Sequence, residues 1–319
     1  MRNWISCISN GVCLWLSLWA VVGTFAENRP EYLQSGHRIV FLGDSITAAG
    51  DFIAIVDARL RVELGDDRPE LINLGLPSET CTGLSEPEHP FPRPNVHERL
   101  ERALAKAKPD VVVVCYGMND GIYYPLDADR FAQFKAGMRR LVGQIEATGA
   151  ECVILSPPAF DPEPFRRKGK LLPRTAETFA WFAIYEKYDK VIQTYADWLR
   201  EDSDLAGLIV NVHDPIRDHL IEVRRKDPDY ALSGDGVHIN RDGHRLIAQS
   251  LMQAWQIEAE EALAENLVDL CHQRHRIIHA AWLSHVGHKR PGGKAGLPLA
   301  EAEQEAKLLD VRIGNLLSQ

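Results

Sequence analysis

The sequence predicts an α/β fold: a five-stranded parallel sheet inside a flavodoxin-like three-layer α/β/α sandwich. Two observations predict it. Short apolar runs, the clearest of them β-branched, recur along the chain and have the length of strands buried on both faces. Between them lie stretches whose apolar residues recur at helical spacing, and strand–helix alternation builds βαβ units around a parallel sheet.

The first strand is expected at 38–42 in RIVFLGDSIT, where the apolar run breaks at Gly43. A helix follows near 51–64, then a second strand at 70–74 in ELINLGLPSET. A helix near 95–107 leads to the third strand at 110–116 in PDVVVVCYGMND, and helix 128–147 leads to the fourth at 152–156. The segment PPAFDPEPFRRKGKLLPR at 157–174 is rich in proline and charge and reads as an irregular loop at the same sheet edge as Ser45. A helix over 176–201, a fifth strand at 207–212 and a last helix over 241–262 complete the domain. Asn240 can cap that helix, with Leu246, Ile247, Leu251 and Trp255 at helical spacing. The main domain thus spans 30–262. The tail 263–319 has few large apolar groups in its first half and is expected to pack on that unit rather than build its own core.

The chain has 319 residues, 45% of them hydrophobic and 25% charged, an ordinary globular composition. Its formal net charge is −9 and no basic run dominates, which argues against a nucleic-acid partner. Residues 1–26 carry one charge, Arg2, and an apolar run ending in small residues. They read as a secretory signal peptide with cleavage after Ala26, so export to a periplasm or the exterior is expected. The alternative is an uncleaved anchor from Trp4 to Ala26. Removing Arg2 with the leader takes the net charge from −9 to −10. Cys81, Cys115, Cys152 and Cys271 then remain; Cys115 and Cys152 read as buried thiols in strands, and an export route permits a Cys81–Cys115 disulfide.

Chemistry concentrates at strand ends. Gly43-Asp44-Ser45 turns the first strand into a helix and presents a hydroxyl at the carboxyl edge of the sheet, where open α/β folds bind ligands. Gly75 follows the second strand, and Gly117, Asn119 and Asp120 follow the third. In LSGDGVHINRDGH, Asp235 stands three residues before His238, and Gly236 eases a turn that lets the carboxylate reach the ring. A serine needs a base within hydrogen-bond reach and the base needs an orienting partner.

This ordered series resembles the SGNH hydrolases, the GDSL esterase/lipase family, from about residue 38 to residue 250, with GDSIT in place of GDSL. The resemblance implies the SGNH hydrolase fold and a carboxylic ester hydrolase with no cofactor. It implies Ser45 as nucleophile, His238 as base and Asp235 as its partner. It also implies an oxyanion hole from the backbone N–H of Ser45, that of Gly75 and the side-chain amide of Asn119. Asp44 and Asp120 read as loop-holding groups. Export, rim aromatics and charge tilt the expected substrate to acetyl or other short acyl esters of carbohydrates or small molecules. A lysophospholipase or thioesterase-like acylhydrolase, and a silent carbohydrate-binding protein on the same fold, are the alternatives.

Tyr123, Tyr124, Phe160, Asp161, Arg166 and Arg167 are candidate substrate-rim residues, the aromatics suiting sugar stacking or plain loop packing. His213-Asp214 is a competing His–Asp pair, and His244 reads as packing or capping. His272, His275 and His279 have helical spacing that would suit a metal face, but no carboxylate or cysteine completes a site, so no metal is expected. The basic HKRPGGK segment reads as a solvated turn, with an anion-binding stretch across the site edge as the alternative.

Overall fold

The computed structural model describes residues 29–202, 205, 207–258 and 262–318. The leader reading of residues 1–26 lies outside them. In chain order the elements are β1 (Arg38–Gly43), α1 (Ser45–Ala49), α2 (Asp51–Leu64), β2 (Glu70–Asn73), α3 (Leu100–Ala107), β3 (Val111–Cys115) and α4 (Ala128–Glu146). Then come β4 (Glu151–Leu155), α5 (Glu163–Arg167), β5 (Leu171–Leu172), β6 (Ile184–Tyr185), α6 (Tyr188–Glu201), β7 (Leu208–Val210), α7 (His213–Arg224), α8 (Arg241–Ala254), α9 (Glu265–Val286) and α10 (Leu299–Leu317).

The main sheet has five parallel strands in the order β2-β1-β3-β4-β7. This is the flavodoxin-like order, in which the chain reverses direction across the sheet between β1 and β3. Every residue of β3, VVVVC, is buried, as a central strand covered on both faces requires. The loops leaving β1 and β3 therefore open side by side at the carboxyl edge. Ser45 stands two residues past the end of β1 and Asn119 four past the end of β3.

Three expectations are corrected. Residues 176–187 are not helical: Tyr185 N–H donates to Tyr123 O (3.1 Å) and Glu186 N–H to Leu172 O (2.9 Å), so the backbone serves β6 and its partner β5, and α6 starts only at Tyr188. The last helix of the domain stops at Ala254, and Gln256 takes a left-handed φ of 55°. Helix α7, beginning at His213 shortly after the fifth strand of the sheet, fills a stretch where no element was expected. All four described cysteines are buried free thiols, so Cys81 and Cys115 are not bonded to each other.

Helix α9 lies against α2, α3 and β2, and α10 packs on α9. The histidines of α9 act as separate tethers. His272 Nε2 meets Ala49 O at 2.9 Å, His275 Nε2 meets Asp57 Oδ2 at 3.1 Å, and His279 Nε2 meets Gly75 O at 2.8 Å. Burial holds His279 below its ordinary pKa, which suits a neutral ring donating to a carbonyl. Asp310 of α10 receives both Arg61 (2.7 Å) and Arg274 (2.8 Å), tying the two terminal helices to α2.

Candidate active site

Asp44 caps α1, its carboxylate accepting from Ile46 N–H at 2.9 Å. That cap sets Ser45 as the first residue of the helix, with its N–H among the first-turn donors a helix leaves unpaired. Burial pushes Asp44 up to about 7, against the opposing pull of the Ile46 N–H and His238.

Ser45 Oγ lies 2.9 Å from His238 Nε2, and His238 Nδ1 lies 2.7 Å from Asp235 Oδ2. The other oxygen of Asp235 accepts from Val237 N–H (3.0 Å), His238 N–H (2.8 Å) and the Ser233 hydroxyl (2.9 Å), so one carboxylate builds the turn and holds the ring. Gly236, at φ 74°, is required in that turn: a Cβ would collide with Asp161 O. A bridge between Ser233 and Ile239 closes the loop, and Asn240 caps α8 directly after it.

The electrostatics match a base waiting for a proton. Burial is the largest single influence and opposes ionisation of Asp235, but the hydrogen bonds from the His238 ring and from the His238 and Val237 N–H groups, with the charge of His238, together outweigh it and hold the carboxyl well below its usual range. The same bond raises His238 above its ordinary 6.5, with burial pulling the other way and the charges of Asp235 and Asp44 adding to the rise. A general base acts in its neutral form, so activity is lost as pH falls through the raised pKa. The acid limb of kcat/KM against pH is therefore expected above pH 6.5; a limb at or below that value would contradict the coupling.

Asn119 is held at both ends: its Oδ1 accepts from the Tyr123 hydroxyl (3.0 Å) and its Nδ2 donates to Glu79 O (3.2 Å), leaving the second amide proton for a ligand. Asp120 joins the two loops, accepting from Cys81 (2.9 Å), Thr82 (3.0 Å) and Gly117 (2.9 Å) N–H groups.

Gly75 is a correction. It does not line the cleft that holds Ser45. Its N–H is already given to Asn73 Oδ1 (2.8 Å), and a Cβ there would clash with the Ala48 backbone, so its small size serves close packing on α1. Three residues on, Ser78 lines the cleft, takes a left-handed φ of 69° that ordinarily favours glycine, and has no partner for its N–H among the described residues.

The cleft measures about 290 Å³ and contains Ser45, Ser78, Asn119 and His238. Of the expected rim only Tyr123 lines it. Tyr124 packs on Phe179 (5.0 Å between rings). Phe160 is buried against Tyr188, Asp161 is buried in a two-point pair with Arg224 (2.9 and 2.6 Å), and Arg166 pairs with Glu163 at the surface. Arg167 donates to the Pro228 and Asp229 carbonyls. His213 is buried between Asp214 (3.1 Å) and Asp189 (3.3 Å), away from the cleft, and His244 stacks on Phe52. The walls come instead from His89, Phe91 and Arg93 on the loop after β2 and Trp181 before β6, which the sequence reading passed over, and from Arg290 between α9 and α10. HKRPGGK was the one signal that touched them.

This arrangement can activate a hydroxyl and stabilise an oxyanion beside it. The fold is similar to that of solved structures. A gut microbial diltiazem-metabolizing enzyme superposes at TM-score 0.54 with 20% identity over 71% of this chain, which spans about half (48%) of that protein. A catalytic mutant of an acetylxylan esterase from Geobacillus stearothermophilus gives TM-score 0.48 and 18% identity, covering 72% of this chain and 100% of its own. An α/β hydrolase from the metagenome of Lake Arreo, Spain, gives 0.48 and 21%, covering 72% and 99%. No curated protein matches the chain. The profile of the GDSL-like lipase/acylhydrolase family matches residues 41–246, a span that starts inside β1, ends inside α8 and encloses Ser45, Asn119, Asp235 and His238, so the chain belongs to that family and is a carboxylic ester hydrolase.

Proposed function

We propose that the protein is an exported serine esterase that removes acetyl or other short acyl groups from carbohydrate or small-molecule esters through an acyl-enzyme. The observation that carries this reading is the continuous chain Ser45 Oγ–His238–Asp235 at 2.9 and 2.7 Å, opening into a cleft beside unpaired donors. Ser45 Oγ bonds to the ester carbonyl carbon as its proton passes to His238 Nε2 and the carbonyl electrons move onto oxygen. The N–H of Ser45, the N–H of Ser78 and Asn119 Nδ2 receive that oxyanion. Collapse breaks the bond to the alcohol, which leaves with the proton from His238. Water then attacks the acyl-enzyme by the same route, releasing the acid and restoring Ser45.

The cleft volume of about 290 Å³ supports a small acyl group, and Trp181, 48% exposed at its wall, supports a sugar face. The similarity in fold to an acetylxylan esterase is consistent with this substrate class without carrying it. Export rests on the apolar segment 1–26. An acyl series on p-nitrophenyl esters tests the reading: kcat/KM is expected to be highest for acetate and to fall by about tenfold or more by octanoate, once the chain outgrows the cleft. A preference that climbs with chain length would instead favour a lysophospholipase-like or thioesterase-like acylhydrolase.

A further inference from the structure

Arg290 belongs to the segment joining α9 to α10, beyond the family-matched span 41–246, yet it lines the cleft that holds Ser45. It is held in place without being neutralised. Its Nε donates to Pro77 O at 2.9 Å, its Nη1 to Pro291 O at 3.2 Å, and its guanidinium lies 5.1 Å from the centre of the Phe91 ring. Among the described residues it has no carboxylate partner. The other arginine of the cleft differs: Arg93 is buried in a two-point pair with Glu86 at 2.6 and 2.7 Å. Among the described residues no aspartate or glutamate lines the cleft, although the chain as a whole carries a net charge of −9. Burial lowers the pKa of His89 in the same wall, and the field of Arg290 adds to that lowering.

We propose that Arg290 forms an anion subsite at the rim of the ester cleft, so that the substrate is an acyl ester of an acidic sugar. The assignment rests on the esterase reading above and narrows its substrate. A planar guanidinium fixed on one edge by a carbonyl and on one face by an aromatic ring loses little freedom when its remaining N–H groups take an anion. Trp181 offers a ring face in the same cleft, so one sugar can stack while its charged group reaches Arg290. A uronic-acid carboxylate and a sulfate present the same chemistry to the guanidinium.

The test compares three substrates: acetylated methyl galacturonide, acetylated methyl galactoside, and the acetylated galactoside bearing a sulfate. Each is run with the parent protein, Arg290→Gln and Arg290→Lys. The parent is expected to prefer at least one acidic ester by about tenfold or more in kcat/KM, chiefly through KM. The preferred anion tells carboxylate from sulfate. Arg290→Gln should bring the acidic-to-neutral ratio close to one, Arg290→Lys should retain part of it, and added salt should weaken it in the parent. Because the ratio is read within each variant, a general loss of folding does not imitate the effect. An unchanged ratio in Arg290→Gln, or no preference in the parent, would overturn the subsite. If the parent shows no Ser45-dependent turnover, the esterase reading fails separately. Calorimetric titration of galacturonate and of galactose sulfate into Ser45→Ala and into Ser45→Ala/Arg290→Gln then decides the subsite: tighter binding of either anion by the first supports it, and equal binding of both removes it.

Discussion

Ser45→Ala and His238→Ala each lower ester turnover by about 10⁴–10⁶-fold, and the double variant is no slower than either single one. The nonadditivity follows from the geometry. Ser45 Oγ and His238 Nε2 are 2.9 Å apart, so in the proposed mechanism the proton would leave the hydroxyl as the bond to carbon forms, and without either partner that step would have no route. Asp235→Asn should cost less, on the order of 10⁴-fold, because the imidazole keeps its place against Ser45 while losing the partner that fixes its tautomer and stabilises its cation. Steady-state hydrolysis of p-nitrophenyl acetate measures all four variants. Mass spectrometry after an organophosphonate probe should find the adduct on the Ser45 peptide in the parent only. Turnover by Ser45→Ala within about tenfold of the parent would sink the nucleophile assignment.

The strands were legible because their physics is local. A strand covered on both faces reads as an unbroken apolar run, so RIVFLG and VVVVC show themselves without tertiary information. The residues at their carboxyl ends, Ser45 and Asn119, inherit that clarity, and Asp235 and His238 are near enough in sequence to be read as a pair. Ser78 was hidden for the opposite reason. A glycine after a strand invites a role, and Gly75 is such a glycine, but the left-handed position at the cleft is taken by a serine. That conformation is imposed by a loop pinned through the buried pairs Glu79–Arg99 and Glu86–Arg93, partners separated by 20 and 7 residues, which no local pattern marks. Trp181 and Arg290 arrive from further still. The segment around Trp181 imitates a helix in its apolar spacing while its backbone serves β5 and β6, and Arg290 reaches the cleft only because α9 is tethered to α2 and to Gly75. Loops carry specificity on a rigid sheet, and loop placement is a tertiary property.

Arg99→Met should destabilise the fold by about 3–5 kcal/mol, the largest stability effect expected from a single substitution in the loop that builds the cleft. Arg99 is 1% exposed and Glu79 0%. Its guanidinium meets Glu79 through Nε at 2.7 Å and Nη2 at 2.6 Å, and Nη2 also donates to Leu74 O at 2.6 Å. The Tyr116 hydroxyl adds a further bond to Glu79 at 2.7 Å. Removing the cation strands a carboxylate in an environment with no water to replace it, and that penalty, rather than the attraction lost, sets the magnitude. Glu79→Gln/Arg99→Met should therefore recover most of the loss: the amide is neutral and its oxygen still accepts from Tyr116. Urea unfolding of the parent, the two single variants and the double variant forms the cycle that measures the coupling. A cost under about 1 kcal/mol for Arg99→Met would place the pair with solvent-exposed bridges and contradict its burial. The cycle also bears on catalysis. Glu79 follows Ser78, and its carbonyl holds Asn119 Nδ2 at 3.2 Å, so the unpaired carboxylate should disturb both proposed oxyanion donors together. Arg99→Met should lose kcat even where it remains folded, and the double variant should regain kcat along with stability.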